Sequence, residues 1–450
     1  MAKEYSGKNK KKSELFFCIV ITYLYLCIIM LQRYVVILFC MFFTVLSVDG
    51  SDSVAVKPSL AVTYGPGTVL PMDEFSRKWM KPNVIHSLTM ALHLPPSSPD
   101  APHLSFGIRY GMNHDVRMHR DESVDLVGSP PADYVTQMGN NVTLFGTYER
   151  PWFSGKRWQV STYMGTGLGY SNRKYNPRNQ VDNELIGSHV SMYLTVGAVY
   201  TYRLSPHWQL RTGIDFSHHS NGALSCPNKG ANYLGPFVGV EYCWNNQDCQ
   251  SNQSIQSNQN NQNIQSNQNS QHKPRLFLDL TLGVGAKALD EEWQRTQFHV
   301  PPEDPDYRTD KFRLYAAYSV QAAMMWRYGN TRATGLGLDL LYGTYSHHVK
   351  KLDEAEGHFV THSPWSVAIA ARHNVSFKRF TARFGLGYYL YRRMGVRAKS
   401  SEQPFYERIG VHYTIPRLHG LSVGFQVKTH IFRSDLTELQ VAMPIRIGRK

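Results

Sequence analysis

Residues 190–220 read VSMYLTVGAVYTYRLSPHWQLRTGIDFSHHS. In the first run Val190, Met192, Leu194, Val196, Ala198, Tyr200 and Tyr202 alternate with Ser191, Tyr193, Thr195, Gly197, Thr201 and Arg203. After Ser205-Pro206-His207 the pattern resumes, with Trp208, Leu210, Thr212, Ile214 and Phe216 against Gln209, Arg211, Gly213, Asp215 and Ser217. Successive side chains leave a pleated strand on opposite faces, so a period of two predicts strands. The tight connection predicts that these two are antiparallel neighbours.

The alternation recurs along the chain, and its longest case runs from Phe312 to Tyr328. Strands of this length, apolar on one face and polar or glycine on the other, suit a barrel wall in a bilayer. A soluble sandwich has the same period, but two features favour the membrane. Aromatic residues gather toward the strand ends, and the connections alternate in length. The short ones are PWFSG, SPH, GNT and NVSFK, and the long ones cover 113–137, 171–186, 286–311 and 346–363. About eight candidate strands fall in 58–244 and about eight more in 275–447. The expected fold is therefore all-β, a transmembrane outer-membrane β-barrel with two sets of about eight antiparallel strands. These would form tandem eight-stranded barrels, or one larger barrel of about 14 to 16 strands.

Between the two sets lies an Asn/Gln tract, residues 245–274, that repeats IQSNQN. It has almost nothing apolar to bury and is expected to be a linker. Residues 1–50 are expected to form an N-terminal extension with a signal peptide that begins at Met30, carries Arg33, and has an apolar core followed by a small-residue exit near Gly50. Two short membrane helices are the other reading of this region.

Mean hydropathy is −0.37, which excludes a bundle of membrane helices, while 27 Tyr and 34 Gly suit β-structure. The net charge of +14 has no basic motif with interleaved aromatics behind it outside the leader. It reads as solvated surface, and no nucleic-acid partner is expected. Of six cysteines, Cys18, Cys27 and Cys40 lie in the leader, leaving Cys226, Cys243 and Cys249. Three cannot all pair within one chain, and their spacing suggests no zinc site. A Cys243–Cys249 bridge across a loop base is open in an oxidising compartment.

One stretch carries chemistry: FSHHSNGALSCPNKGAN, residues 216–232. His218 and Ser220 are two apart on a strand and share a face, which is the apolar one. Polar side chains on a lipid-facing stripe need a reason, and a histidine activating a serine for attack on an acyl carbonyl supplies one. The alternative is a strand that has already left the bilayer at His218. His218 and His219 point oppositely and cannot hold one metal together, so no metal or cofactor is expected.

These residues resemble the outer-membrane lipid A 3-O-deacylases, the PagL-like family. The family pattern is His-x-Ser-Asn, then Pro-Asn-x-Gly, then Glu two residues after that glycine. His218 matches the base, Ser220 the nucleophile and Asn221 the oxyanion-hole asparagine, with a backbone N–H of Gly222 or Ala223 to help. Pro227, Asn228 and Gly230 match the loop. The third catalytic position departs, because Asn232 stands where the family has Glu. An Asn carbonyl can hold the histidine tautomer but supplies no full negative charge. The resemblance implies an eight-stranded deacylase-like barrel over 51–244, leaving 275–450 as a second barrel-like half of unknown role. It implies a bacterial outer-membrane enzyme that hydrolyses an ester-linked acyl chain of lipid A, with lipopolysaccharide and membrane lipids as partners. A homodimer is left open. The rival reading is a catalytically degenerate barrel acting as a pore or envelope scaffold. YSHHVK, Tyr345 to Lys350, echoes FSHHSN but has Val349 in the serine position.

Overall fold

The computed structural model describes residues 58–244 and 275–447, apart from 73, 96–101, 114–115, 121–131, 137, 178–179, 181–182, 299, 302, 308, 310, 329–330, 378, 399–403 and 431–432. The leader, the Asn/Gln tract and Cys249 lie outside the described residues. Cys243 is disulfide-bonded, and Cys249, the partner its spacing offers, falls in the undescribed stretch.

The first barrel is built from β1 (Ser59–Val69), β2 (Ile85–His93), β3 (His103–Met112), β6 (Asn141–Ser154), β7 (Trp158–Ser171), β8 (Val190–Arg203), β9 (Trp208–Ser220) and β10 (Ala231–Cys243). A short helix α1 (Glu74–Trp79) follows β1, and a hairpin of β4 (Val116–Arg120) and β5 (Ala132–Thr136) fills the connection after β3. The barrel closes where β1 pairs with β10, Val62 opposite Val240. The second barrel comprises β11 (Arg275–Ala288), β12 (Leu314–Tyr328), β13 (Arg332–Gly343), β14 (Trp365–Phe377), β15 (Phe380–Arg392), β16 (Phe405–Thr414), β17 (Ser422–His430) and β18 (Arg433–Arg446). It closes on its own, β11 against β18, with Leu278 opposite Ile445. The tandem arrangement is therefore the one adopted. A single large barrel would have joined the Phe237 and Leu278 strands, and these pair elsewhere.

The alternation sorts side chains as the sequence implied. Outside the first barrel, Met90, Ile108, Leu144, Leu168, Val196, Ile214 and Val238 are exposed apolar groups. Inside are Ser87, Arg109, Thr143, Glu149, Tyr193, Arg211, Asp215 and Glu241. Apolar-out and polar-in is the inverse of a soluble barrel and fits a wall in lipid. Trp208, Tyr242 and Trp244 pack edge to face at the short-turn end, with ring centroids 5.0 and 5.8 Å apart. This is an interfacial girdle of aromatics.

Eight strands leave a narrow lumen, so the interior charges must neutralise one another. Arg109 pairs with Asp215, while Arg211 reaches Glu149 at 2.7 Å and Glu241 at 3.0 Å. A cavity of about 80 Å³ remains among them, which is no aqueous channel. The second lumen is crossed likewise, with Arg408 bound to Glu438 and Asp339, and Lys428 to Asp435. Removing one partner of a buried pair leaves the other charge without compensation. Arg211→Ala is thus expected to lower the stability of the first barrel by about 3 kcal/mol. A urea unfolding midpoint equal to the parent's would refute this.

Two sequence expectations are corrected, and the long connections prove to hold helices. PWFSG is not a turn, because β6 continues through it to Ser154. A bulge leaves Trp152 unpaired between Pro151 and Phe153, directly beside the proline that cannot donate to the ladder. NVSFK is mostly strand too, since β14 runs to Phe377. The connections after β11 and β13 contain helices, α2 (Asp290–Phe298) and α3 (Ser346–Ala355). YSHHVK therefore lies largely on α3, where Ser346, Val349 and Asp353 turn inward at helical spacing, and it is no strand counterpart of FSHHSN.

Candidate functional site

β9 delivers His218 and Ser220 to the outer wall at the long-loop end of the first barrel. Ile214 below them is exposed on the same face, while Asp215, Ser217 and His219 are buried inside. His219 is committed to the interior, packed between the Tyr193 and Tyr233 rings with Ser191 Oγ 3.2 Å from its Nδ1. Asp215 and Glu241 are held by interior arginines, and neither serves the outer face.

Antiparallel register sets the third group. Asn232 on β10 sits directly opposite His218, and its Oδ1 lies 2.7 Å from His218 Nδ1. An acceptor there keeps the ring proton on Nδ1 and leaves the Nε2 lone pair free. Gly230, at φ +77°, lets the loop pass over the ring; a Cβ at that position would sit 2.5 Å from His218 Cε1.

Ser220 is only 8 % exposed. Its Oγ receives a hydrogen bond from Asn228 Nδ2 at 3.0 Å and from the Gly222 N–H at 3.2 Å. No hydrogen bond joins it to the His218 ring, although the two side chains share a face. Asn228 is the pivot of the loop, since its Oδ1 also accepts the Asn221 N–H at 3.0 Å. The Asn221 side chain turns instead to Ser225, donating to its carbonyl at 3.0 Å and accepting its N–H at 3.4 Å. Asn221 therefore braces the loop, and the amide at the serine belongs to Asn228.

Residues 221–224 make a turn with Gly222 at φ +66° and Ala223 at φ +68°, closed by Leu224 N–H to Asn221 carbonyl at 3.3 Å. Two successive left-handed residues define a type I′ turn. The Ala223 N–H has no hydrogen-bond partner among the described residues. Beyond the turn, the Pro227 carbonyl packs against Gly187, and the Lys229 N–H binds the Glu184 carbonyl at 3.1 Å.

The second barrel reaches this site, which sequence reasoning missed. Ser434 Oγ on β18 lies 2.9 Å from Asn228 Nδ2 and 3.4 Å from Ser220 Oγ. Thr437 Oγ1 donates to the Gly222 carbonyl at 2.7 Å, and the Ala288 N–H donates to the Ala223 carbonyl at 2.7 Å. Cys226, a free thiol, is buried with Ala288 and Trp293, and that burial pushes its pKa well up. Lys229 Nζ stands 5.9 Å over the Trp293 ring. More than 200 residues separate Ser220 from Ser434 in the chain, so no local motif could have announced the contact.

The first barrel is thus apolar-walled, as an outer-membrane barrel is, with a Ser/His/Asn cluster on its outer face at the long-loop end. Residues 104–241 match the family model described as lipid A 3-O-deacylase (PagL), and residues 276–447 match acyloxyacyl hydrolase, C-terminal domain. The two segments belong to these families, so the chain carries lipid A deacylase and acyloxyacyl hydrolase domains, ester hydrolases on outer-membrane barrels. No curated protein matches the chain. Among solved structures, the outer membrane enzyme PagL is similar over 40 % of this chain and 97 % of its own, at 12 % identity and a TM-score of 0.25. The copper transporter OprC is similar over 87 % of this chain and 62 % of its own, at 10 % identity and a TM-score of 0.28. An outer membrane channel from Pseudomonas putida F1 is similar over 89 % of this chain and all of its own, at 8 % identity and a TM-score of 0.20.

Proposed function

We propose that Ser220 attacks the carbonyl of an ester-linked acyl chain of lipid A, with His218 as general base and Asn232 as its positioning residue. The observation that carries this is the 2.7 Å contact between His218 Nδ1 and Asn232 Oδ1, on the same outer face as Ser220. With Nδ1 protonated, Nε2 can take the Ser220 proton as the Oγ–carbon bond forms. The tetrahedral oxyanion is received by N–H donors at the turn, Gly222 and Ala223, and by the side-chain amide of Asn228. Asn221 supports these donors through its bonds to Ser225. His218 then returns the proton to the sugar alkoxide, and water releases the fatty acid from the serine by the same steps in reverse order.

The direct Ser220–His218 hydrogen bond that this step requires is not made in the structure. Such bonds are commonly long or misaligned before substrate binds. Ser220 is the last residue of β9, at the long-loop end of the wall. The test is the mass of lipid A before and after exposure to the protein in vesicles. The expected product has lost one acyl chain, with one free fatty acid released for each. Lipid A of unchanged mass would sink the proposal.

A further inference from the structure

We propose that the second barrel completes the hydrolase site, with Ser434 and Thr437 as positioning residues for the reaction at Ser220. The proposal rests on Ser220 being the nucleophile. The contacts between the barrels fall on the groups that matter most to that chemistry. Ser434 Oγ is 2.9 Å from the Asn228 amide that itself reaches Ser220. Thr437 Oγ1 holds the Gly222 carbonyl, and the Ala288 N–H holds the Ala223 carbonyl.

The turn needs holding. Left-handed backbone is disfavoured for a residue with a Cβ, and Ala223 adopts φ +68°. Gly222 at φ +66° leaves no room for a side chain, since a Cβ would meet Met192 Cε and Thr437 Oγ1, each at 2.1 Å. The peptide joining Gly222 to Ala223 is planar, so fixing its carbonyl also fixes the direction of the Ala223 N–H. Thr437 thereby sets one of the donors assigned to the oxyanion, from a different barrel. The chemistry of β18 is consistent with this. Thr437 is followed on the outward face by Leu439, Val441 and Met443, all exposed apolar groups. A hydroxyl appears on that stripe where it meets the first barrel's loop.

The test uses the full chain in vesicles containing lipid A. Ser434→Ala, Thr437→Val and the double variant are assayed for kcat and KM, with folding checked by heat-modifiable migration. Each single variant is expected to lower kcat about 5- to 30-fold, as the loss of one hydrogen bond at a transition state predicts. KM should change less than about twofold, because the groups moved are donors to the reacting carbonyl rather than contacts to the lipid. Thr437→Ser should restore the parental kcat, and labelling of Ser220 by an alkyl fluorophosphonate should slow in step with kcat. A folded double variant with parental kcat and parental labelling would overturn the proposal. So would a faster one, since the contact would then shield the serine, or one altered in KM alone. Ser220→Ala is run alongside. If that variant keeps activity, the assignment of the nucleophile has failed, and the role of the second barrel falls with it. If Ser220→Ala is dead and the Ser434 and Thr437 variants are unaffected, only the role of the second barrel falls.

Discussion

The Ser220→Ala variant is expected to release no measurable fatty acid from lipid A while migrating as a folded, heat-modifiable barrel. The alanine deletes one oxygen from a wall position and disturbs no interior ion pair, so the fold has little reason to respond. Catalysis has every reason to, because among the described residues no other hydroxyl is held by the Asn228 amide and the turn N–H of Gly222 together. A loss of about three orders of magnitude or more is expected, equivalent to at least about 4 kcal/mol of transition-state stabilisation. Undiminished fatty-acid release by a folded variant would remove Ser220 from the mechanism.

Substitution of Asn232 should produce the second-largest effect. Asn232→Ala removes the acceptor 2.7 Å from His218 Nδ1, so the ring is free to rotate or to adopt the other tautomer. The rate is expected to fall about 10- to 1000-fold, or roughly 1.4–4 kcal/mol. Asn232→Glu should equal or exceed the parent, because a carboxylate in that register position stabilises the imidazolium formed during attack. The two variants separate orientation from charge. If both match the parent, Asn232 plays no part and the histidine is held by something else.

The barrel was legible in the sequence because strand alternation is a local property. In each barrel, a two-residue period fixes which side chains face lipid and which face the lumen. The relation of His218 to Asn232 was half legible. The motif places both on the outward face, but only the register of β9 against β10 sets them opposite each other. The helices in the long connections were not legible from strand periodicity. In α3, Val349 and Asp353 are buried against neighbours that are remote in sequence, and those contacts fix the helix. Pro151 hid the true turn, since a proline inside a strand reads as a strand end. The role of Ser434 was the least accessible, because a contact between separate barrels leaves no periodic trace in either.

With His218 and Ser220 as the proposed reacting groups, their outward placement also decides how the enzyme meets its substrate. In the proposed mechanism the reacting groups lie outside the blocked lumen, on the outer face of β9 above the exposed Ile214 and next to β18 of the second barrel. Encounter is therefore a search in two dimensions, and the relevant concentration is the mole fraction of lipid A in the leaflet. Adding inert phospholipid at constant bulk lipid A should slow the reaction by surface dilution, and adding vesicles of unchanged composition should not. Packing order becomes a form of control: cations that crosslink lipid A headgroups would reduce lateral exchange at the wall and restrain turnover without touching a catalytic atom.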